Sequence, residues 1–181
     1  MPETKQIKDA AGVEESIRQL AGAIRARYGD APPCFVGIHT RGVVLAHRVR
    51  ECLRDAWPDL EMGELDISLY RDDLGEIGDL DRLKLRGTHL PVTLDGSDVV
   101  LFDEVIHTGR STRAALALLM DFGRPARVDL AVLVDRRGCR ELPLQPDFAA
   151  ETIEADRDAH VQVRFSEVEE DGGEDAIYLT S

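Results

Sequence analysis

The sequence predicts an α/β fold, a mostly parallel central sheet flanked by helices, and three observations predict it. First, one order recurs along the chain: an apolar run, a short polar loop, then a helix or turn. It is seen at residues 34–53, again at 99–120, and in part at 128–138. Second, the apolar runs alternate little, as expected of strands covered on both faces. Third, 181 residues with 43% apolar content suit one α/β domain with a full core, spanning 1–181.

The elements follow in order. Residues 1–10 are polar and read as loosely held. Val13, Ile17, Leu20, Ala21, Ile24 and Tyr28 keep helical spacing, with Glu14, Glu15, Arg18 and Arg25 off the stripe. This predicts an amphipathic helix ending near Gly29 and packing on the edge of the sheet. After the Pro32-Pro33 break, residues 34–38 read as the first strand and 43–53 as a helix. Leu65, Ile67 and Leu69 alternate with Glu64, Asp66 and Ser68, a half-buried strand over 62–70. Residues 71–90 are charged, glycine-bearing and without period, and read either as a lid or as a solvated hairpin. Residues 99–102 form the central strand. The helix after them stops at Gly123, with Pro125 behind it. Residues 128–134 are another buried strand, and 141–148 are turn-rich and read as a cap over the site. Residues 161–165 and 176–179 read as late strands around an acidic turn.

Composition limits the function classes. The net charge is −13, and residues 147–181 hold eleven acids against two bases, Arg157 and Arg164. That balance argues against non-specific affinity for nucleic acid or an anionic membrane. Lysine occurs only as Lys5, Lys8 and Lys84. Cys34, Cys52 and Cys139 have neither metal-ligand nor disulfide spacing, and Cys34 and Cys52 are expected in the core. With no signal-like start and no apolar run of spanning length, a cytoplasmic protein is expected.

The chemistry concentrates where the central strand ends. Asp103 and Glu104 close that strand, and Thr108, Gly109, Arg110, Ser111 and Thr112 lead into the next helix. In open α/β sheets ligands bind at the carboxyl ends of strands. A helix start behind small polar residues offers N–H groups and the positive dipole end to an anion. The residues predict a phosphate over 108–112, with the two acids handling hydroxyls or a metal. His39, Thr40, Arg41 and Gly42 repeat the theme at the neighbouring strand. Arg41 there is either a bidentate phosphate ligand or the solvated arginine of an ordinary turn. Asp135, Arg136, Arg137 and Gly138 make a third polar strand end on the same side.

The string from Val99 to Gly109 resembles the phosphoribosyl pyrophosphate (PRPP) signature of type I phosphoribosyltransferases. Residues 37–42, 63–73, 122–125 and 140–143 resemble, more narrowly, the bifunctional pyrimidine operon regulatory protein/uracil phosphoribosyltransferase family. The Leu-Tyr-Arg-Asp-Asp and Arg-Glu-Leu-Pro segments separate that family from other phosphoribosyltransferases. The resemblance implies a type I phosphoribosyltransferase fold with a small hood. It implies conversion of uracil and PRPP to UMP and diphosphate, with Mg2+ carried on PRPP. It also implies UMP- or UTP-sensitive binding of pyrimidine leader RNA, which attenuates transcription, in a homodimer or homotetramer. By position, Asp103 and Glu104 would hold the ribose hydroxyls, and Thr108, Gly109, Arg110, Ser111 and Thr112 the 5′-phosphate. Thr40 and Arg41 would hold pyrophosphate, in a loop that in this fold often carries a non-proline cis peptide. Val134, Asp135 and Arg136 would flank uracil. Residues 71–90, with Arg71, Asp72 and Lys84, would close over the site.

The chain departs from the family pattern at four places. Glu104 stands where the second acid is usually Asp, and the extra methylene moves the carboxylate by about 1.5 Å. His107 stands where many members have Tyr. The segment 135–140 is one residue longer than usual, with Cys139 where His is common. The stretch after Phe148, basic in the family, carries Glu151 and Glu154. An enzyme is the reading that the phosphate signature favours. A uridine-nucleotide sensor with little or no catalysis is the alternative, acting on RNA or through protein partners. A local basic face from Arg18, Arg25, Arg27, Arg137 and Arg140 would be needed for RNA.

Overall fold

The computed structural model describes residues 3–68, 87–91 and 94–181. The described strands are β1 (Thr4–Lys8), β2 (Cys34–Ile38), β3 (Met62–Leu65), β4 (Asp98–Ile106), β5 (Arg127–Arg137), β6 (Phe148–Glu154), β7 (His160–Arg164) and β8 (Ala176–Thr180). The described helices are α1 (Ala10–Tyr28), α2 (Arg41–Cys52) and α3 (Arg110–Phe122). Two sheets result. The larger has the order β3-β2-β4-β5-β6, and every pairing in it is parallel. The smaller is antiparallel, β1-β8-β7, and forms the hood.

The apolar runs explain the parallel sheet. Along β2, β4 and β5 successive side chains enter two different cores. Phe35, Val100, Phe102, Ala131 and Leu133 pack with α1, α2 and the hood. Cys34, Val36, Val99, Leu101, Leu130 and Val132 pack with α3. A strand that feeds two cores has no polar face, so its sequence shows no alternation. Phe35 and Phe102 lie 4.7 Å apart between ring centroids, with Trp57 edge-on to Phe35.

Several expectations are corrected. Residues 4–8 are not loose: Thr4 pairs with Thr180 and Gln6 with Tyr178. Helix α1 does lie over the edge strand β6 and its neighbour β5. Val13, Ile17, Leu20 and Ile24 cover the face made by β5 and β6, in the core shared with the hood. The turn-rich reading misses β6, whose polar sequence suits an edge strand with one covered side. The strand expected over 62–70 is β3, ending at Leu65, with Leu69 and Tyr70 outside the described residues. Cys52 is exposed, because it falls on the solvent side of the last turn of α2. Of the expected closing loop, only 87–90 is described, and Arg71, Asp72 and Lys84 lie outside the described residues.

The hood is fastened to α2 by charge. Arg48 donates to both Asp175 oxygens at 2.7 and 2.8 Å, to Ser166 and to Glu167, and lies over the Phe165 ring. Its guanidinium holds the Glu167 and Asp175 carboxyls below their ordinary values. Asp171 is also held low: burial works against its ionised form, but hydrogen bonds from Arg41 and the Phe165 N–H outweigh it. Folded-state values below the unfolded ones mean stability that is fully present above the unfolded values, about pH 4 to 4.5, and is lost as pH falls through the depressed values. The melting temperature is therefore expected to fall as the pH drops below about 4.5. Calorimetric scans of Arg48→Ala should show a shallower fall over the same range.

Candidate active site

Three polar strand ends meet in a cavity of about 850 Å³ at the carboxyl side of the parallel sheet. Its floor is the end of β4. Asp103 is 7% exposed, and its Oδ1 accepts the Glu104 backbone N–H at 3.0 Å. Glu104, the next residue on the strand, also lines the cavity.

The chain then turns through residues 107–109 into α3. Gly109 caps that helix with φ +90°, a left-handed conformation that suits glycine. Gly109, at the N-cap, has no side chain to hydrogen-bond to the first turn. Thr108 Oγ1 accepts the Arg110 N–H at 3.3 Å, and Thr108, Gly109, Arg110, Ser111 and Thr112 all line the cavity. A helix start that faces a cavity without a side-chain cap keeps N–H groups and dipole available to an anion. The loop is held from the other side as well. Glu141 and Leu142 donate their N–H groups to the Thr108 carbonyl, and Glu141 accepts from Arg110 at 2.7 Å. The expected cap is present, as the segment that shapes this loop.

The second wall comes from the end of β2. The His39–Thr40 peptide is cis. His39 and Arg41 line the cavity, and Thr40 stands exposed beside them. Arg41 donates from Nε and Nη2 to Asp171 at 3.0 and 2.6 Å. Those bonds, the Asp171 charge and the more distant Glu104 charge raise the Arg41 pKa, so the guanidinium is fully charged.

The third wall is less simple than the sequence suggests. Arg136 lines the cavity, is 3% exposed, and donates to the carbonyls of Asp156 and Arg157 at 2.7 and 3.0 Å. Val134 packs in the apolar core, and neither it nor Asp135 contributes to the cavity wall. Asp135 accepts from Arg140 at 2.6 Å and from Arg137 at 3.2 Å, and Arg140 donates on to the His107 carbonyl. This chain of bonds ties the end of β5 to the loop that leads into α3. Burial and the nearby Arg136 and Arg140 charges push the His107 imidazole below its ordinary value, so it is neutral at pH 7.

The hood supplies wall residues that sequence reading misses: His160, Val161, Gln162 and Val163 of β7. Their strand is expected from the sequence, but no local pattern says which cavity a strand will roof. Asp171 falls in the acidic turn, and for the same reason nothing local sets it apart. Among the described residues no group of three His, Cys, Asp or Glu could hold a metal ion unaided. No described helix is long and apolar enough to cross a membrane.

If Arg41 is a pyrophosphate ligand, Arg41→Ala should weaken PRPP binding by about ten- to a hundredfold, as loss of a charge-assisted bidentate contact does. Isothermal titration with PRPP measures this, and unchanged affinity would exclude the role.

Comparison with known proteins agrees with this geometry. The family model described as phosphoribosyl transferase domain matches residues 3–168. The chain is 43% identical over 176 residues to the bifunctional protein PyrR of Thermus aquaticus, covering 96% of this chain and 94% of that protein. It is 39% identical over 183 residues to the bifunctional protein PyrR of Desulfosudis oleivorans, covering 100% and 98%. Among solved structures, the hypoxanthine phosphoribosyltransferase of Trypanosoma cruzi superposes with a TM-score of 0.67 at 17% identity, over 87% of this chain and 84% of that one. The hypoxanthine phosphoribosyltransferase of Staphylococcus aureus gives 0.64 at 15%, over 82% and 77%.

Proposed function

Because the chain belongs to the phosphoribosyl transferase domain family, and within it to the bifunctional PyrR proteins, we propose that it transfers the phosphoribosyl group of PRPP to uracil, forming UMP and diphosphate. The observation that carries this is the pairing, in one cavity, of the acidic end of β4 with the uncapped start of α3. The first suits the ribose hydroxyls and the second suits the 5′-phosphate. Arg41, across the cavity, suits the pyrophosphate.

The chemistry follows from charge. As the bond from C1′ to pyrophosphate breaks, positive charge grows on the ribose and negative charge on the leaving group. Asp103 and Glu104 orient the sugar and face the positive centre. Arg41 stabilises the departing oxygens. The α3 N-terminus holds the 5′-phosphate, so the reactants meet in fixed geometry. Mg2+ fits this donor set, two carboxylates with phosphate oxygens of the substrate, and would add positive charge on the leaving group. Arg136, which lines the cavity, is our candidate for the pyrimidine edge. Arg71, Asp72 and Lys84 are proposed to close the site.

The second role we propose is the family's: regulation of pyrimidine genes through leader RNA, sensitive to UMP or UTP, by a cytoplasmic homodimer or homotetramer. The local charge gives this little help. Arg18 pairs with Glu14 and Glu15, Arg25 with Asp30, Arg27 with Asp129, and Arg137 and Arg140 with Asp135. The five arginines that could form a basic face are thus each engaged by a carboxylate. The sensor reading, with catalysis weak or absent, draws on Glu104 and on the extra residue in segment 135–140.

The test is UMP formation from labelled uracil by the purified protein, with and without PRPP and Mg2+. PRPP-dependent turnover is expected. No turnover in a protein that still binds UMP would overturn the catalytic reading in favour of the sensor. Gel shifts on pyrimidine leader transcripts test the regulatory role separately.

A further inference from the structure

We infer that Asp171, in the hood, is a positioning residue that presents Arg41 to the pyrophosphate; this rests on the proposed phosphoribosyl transfer. Arg41 and Asp171 stand 130 residues apart in sequence and meet through two parallel hydrogen bonds. Asp171 is built for this contact. Its side chain is 1% exposed, and its Oδ2 also accepts the Phe165 N–H at 2.9 Å. The turn that carries it is closed by Asp171 N–H to the Val168 carbonyl and Gly172 N–H to the Glu169 carbonyl, with Gly172 at φ +68°. Arg48 clamps the two sides of the turn through Glu167 and Asp175. The carboxylate therefore cannot follow a moving arginine; the arginine must come to it.

The geometry of the guanidinium says what is left over. Asp171 takes Nε–H and one Nη2–H. Of the five N–H bonds, two on Nη1 and one on Nη2 remain, on the adjacent edge of the same plane. That edge can meet a phosphate with two parallel hydrogen bonds, the arrangement arginine makes best. Arg41 lines the cavity, so this second edge belongs to the site. A free arginine would lose its rotamer freedom when the ligand binds. Here that loss is taken during folding, when the hood docks, and the ligand meets a fixed fork. The cost is that Asp171 offsets part of the positive charge, so orientation rather than net charge is what the pair contributes.

This account differs from simple docking of the hood, which Arg48 also serves. The test is a double-mutant cycle on PRPP and pyrophosphate binding, followed by calorimetry in the presence of Mg2+. Asp171→Asn should weaken both ligands by about tenfold or more, as small misplacements of a binding group do. In steady-state assays the KM for PRPP should rise while the KM for uracil stays unchanged. In an Arg41→Ala background the same substitution should cost nothing further. Arg48→Ala, which loosens the hood but leaves the Arg41–Asp171 pair and the Phe165 N–H bond in place, should cost PRPP affinity clearly less than Asp171→Asn does. Asp171→Ser retains an oxygen for the Phe165 N–H, and serves if the Asn variant is not folded. Equal or tighter ligand binding by the Asp171 variants would overturn the inference. So would an undiminished effect in the Arg41→Ala background, or an equal loss in Arg48→Ala. Failure of the unsubstituted protein to bind PRPP would instead refute the proposed function itself.

Discussion

Asp103→Asn is expected to reduce UMP formation by about a hundred- to a thousandfold while leaving the fold intact, a loss typical of removing one preorganised electrostatic partner of a transition state. The substitution conserves shape. The asparagine would still fit a site that is 7% exposed, and its amide oxygen could still accept the Glu104 N–H. What changes is the face toward the cavity: a carboxylate oxygen able to accept from a ribose hydroxyl becomes an NH2 that can only donate. The negative charge that faces the developing oxocarbenium-like centre is also gone. Because the interaction strengthens in the transition state, kcat should fall more than substrate affinity. Turnover with labelled uracil, beside a calorimetric melt within about a degree or two of the parent, measures both parts. Full activity would remove Asp103 from the site.

Gly42→Ala should have the largest combined effect on stability and binding. A Cβ at residue 42 would run into the Phe102 carbonyl oxygen and lie 3.2 Å from Asp103 Cα. Those are backbone atoms in the middle of a parallel sheet and cannot swing aside. Gly37 makes the reciprocal approach, where a Cβ would lie 2.5 Å from Val43 Cα. Between them the two glycines let α2 rest directly on β2 and β4, which sets the distance between Arg41 and Asp103. Overpacking of this kind costs about 1–3 kcal/mol, or roughly 3–10 °C in melting temperature for a chain of this size. The displaced α2 should also raise the KM for PRPP at least about tenfold, because both walls of the site move. A variant that melts with the parent and binds PRPP equally would show that the close approach is not needed.

What the sequence makes legible, and what it does not, divides along physical lines. Residues 99–102 and 34–38 announce themselves because a strand buried on both faces must be apolar throughout. The loop proposed to hold phosphate is legible because its residues are contiguous: the strand end, the acids and the helix start follow one another in the chain. The hood is not legible in this way. Strand β1 reads Thr-Lys-Gln-Ile-Lys, and is mostly exposed even when paired. Nothing within it marks a strand until residues 176–180 arrive to pair with it. Strand β6 is hidden for a related reason, since an edge strand carrying Glu151 and Glu154 looks like a loop. Asp135 is the instructive case among the site residues. Position at a strand end suggests the base, whereas its side chain is consumed by Arg137 and Arg140. Arginines two and five residues after the acid are the available signal. For Asp171 and Arg41 no local signal exists, because the pair is made by topology.

The pairing of β1 with β8 has a consequence for the birth of the molecule. Thr4 and Thr180, whose hydroxyls meet at 3.0 Å, are separated by 176 residues. The parallel sheet is complete by residue 154, and the loop that would cradle a phosphate is complete well before that. A chain emerging from the ribosome can therefore assemble its floor while its first strand still waits for a partner not yet made. Closing so long a loop is slow and entropically costly, and it comes last. Translation that stops early yields a sheet with a phosphate loop but no roof, and an arginine with nothing to hold it. The anchor of Arg41 is in place only once residues 171–180 have been made.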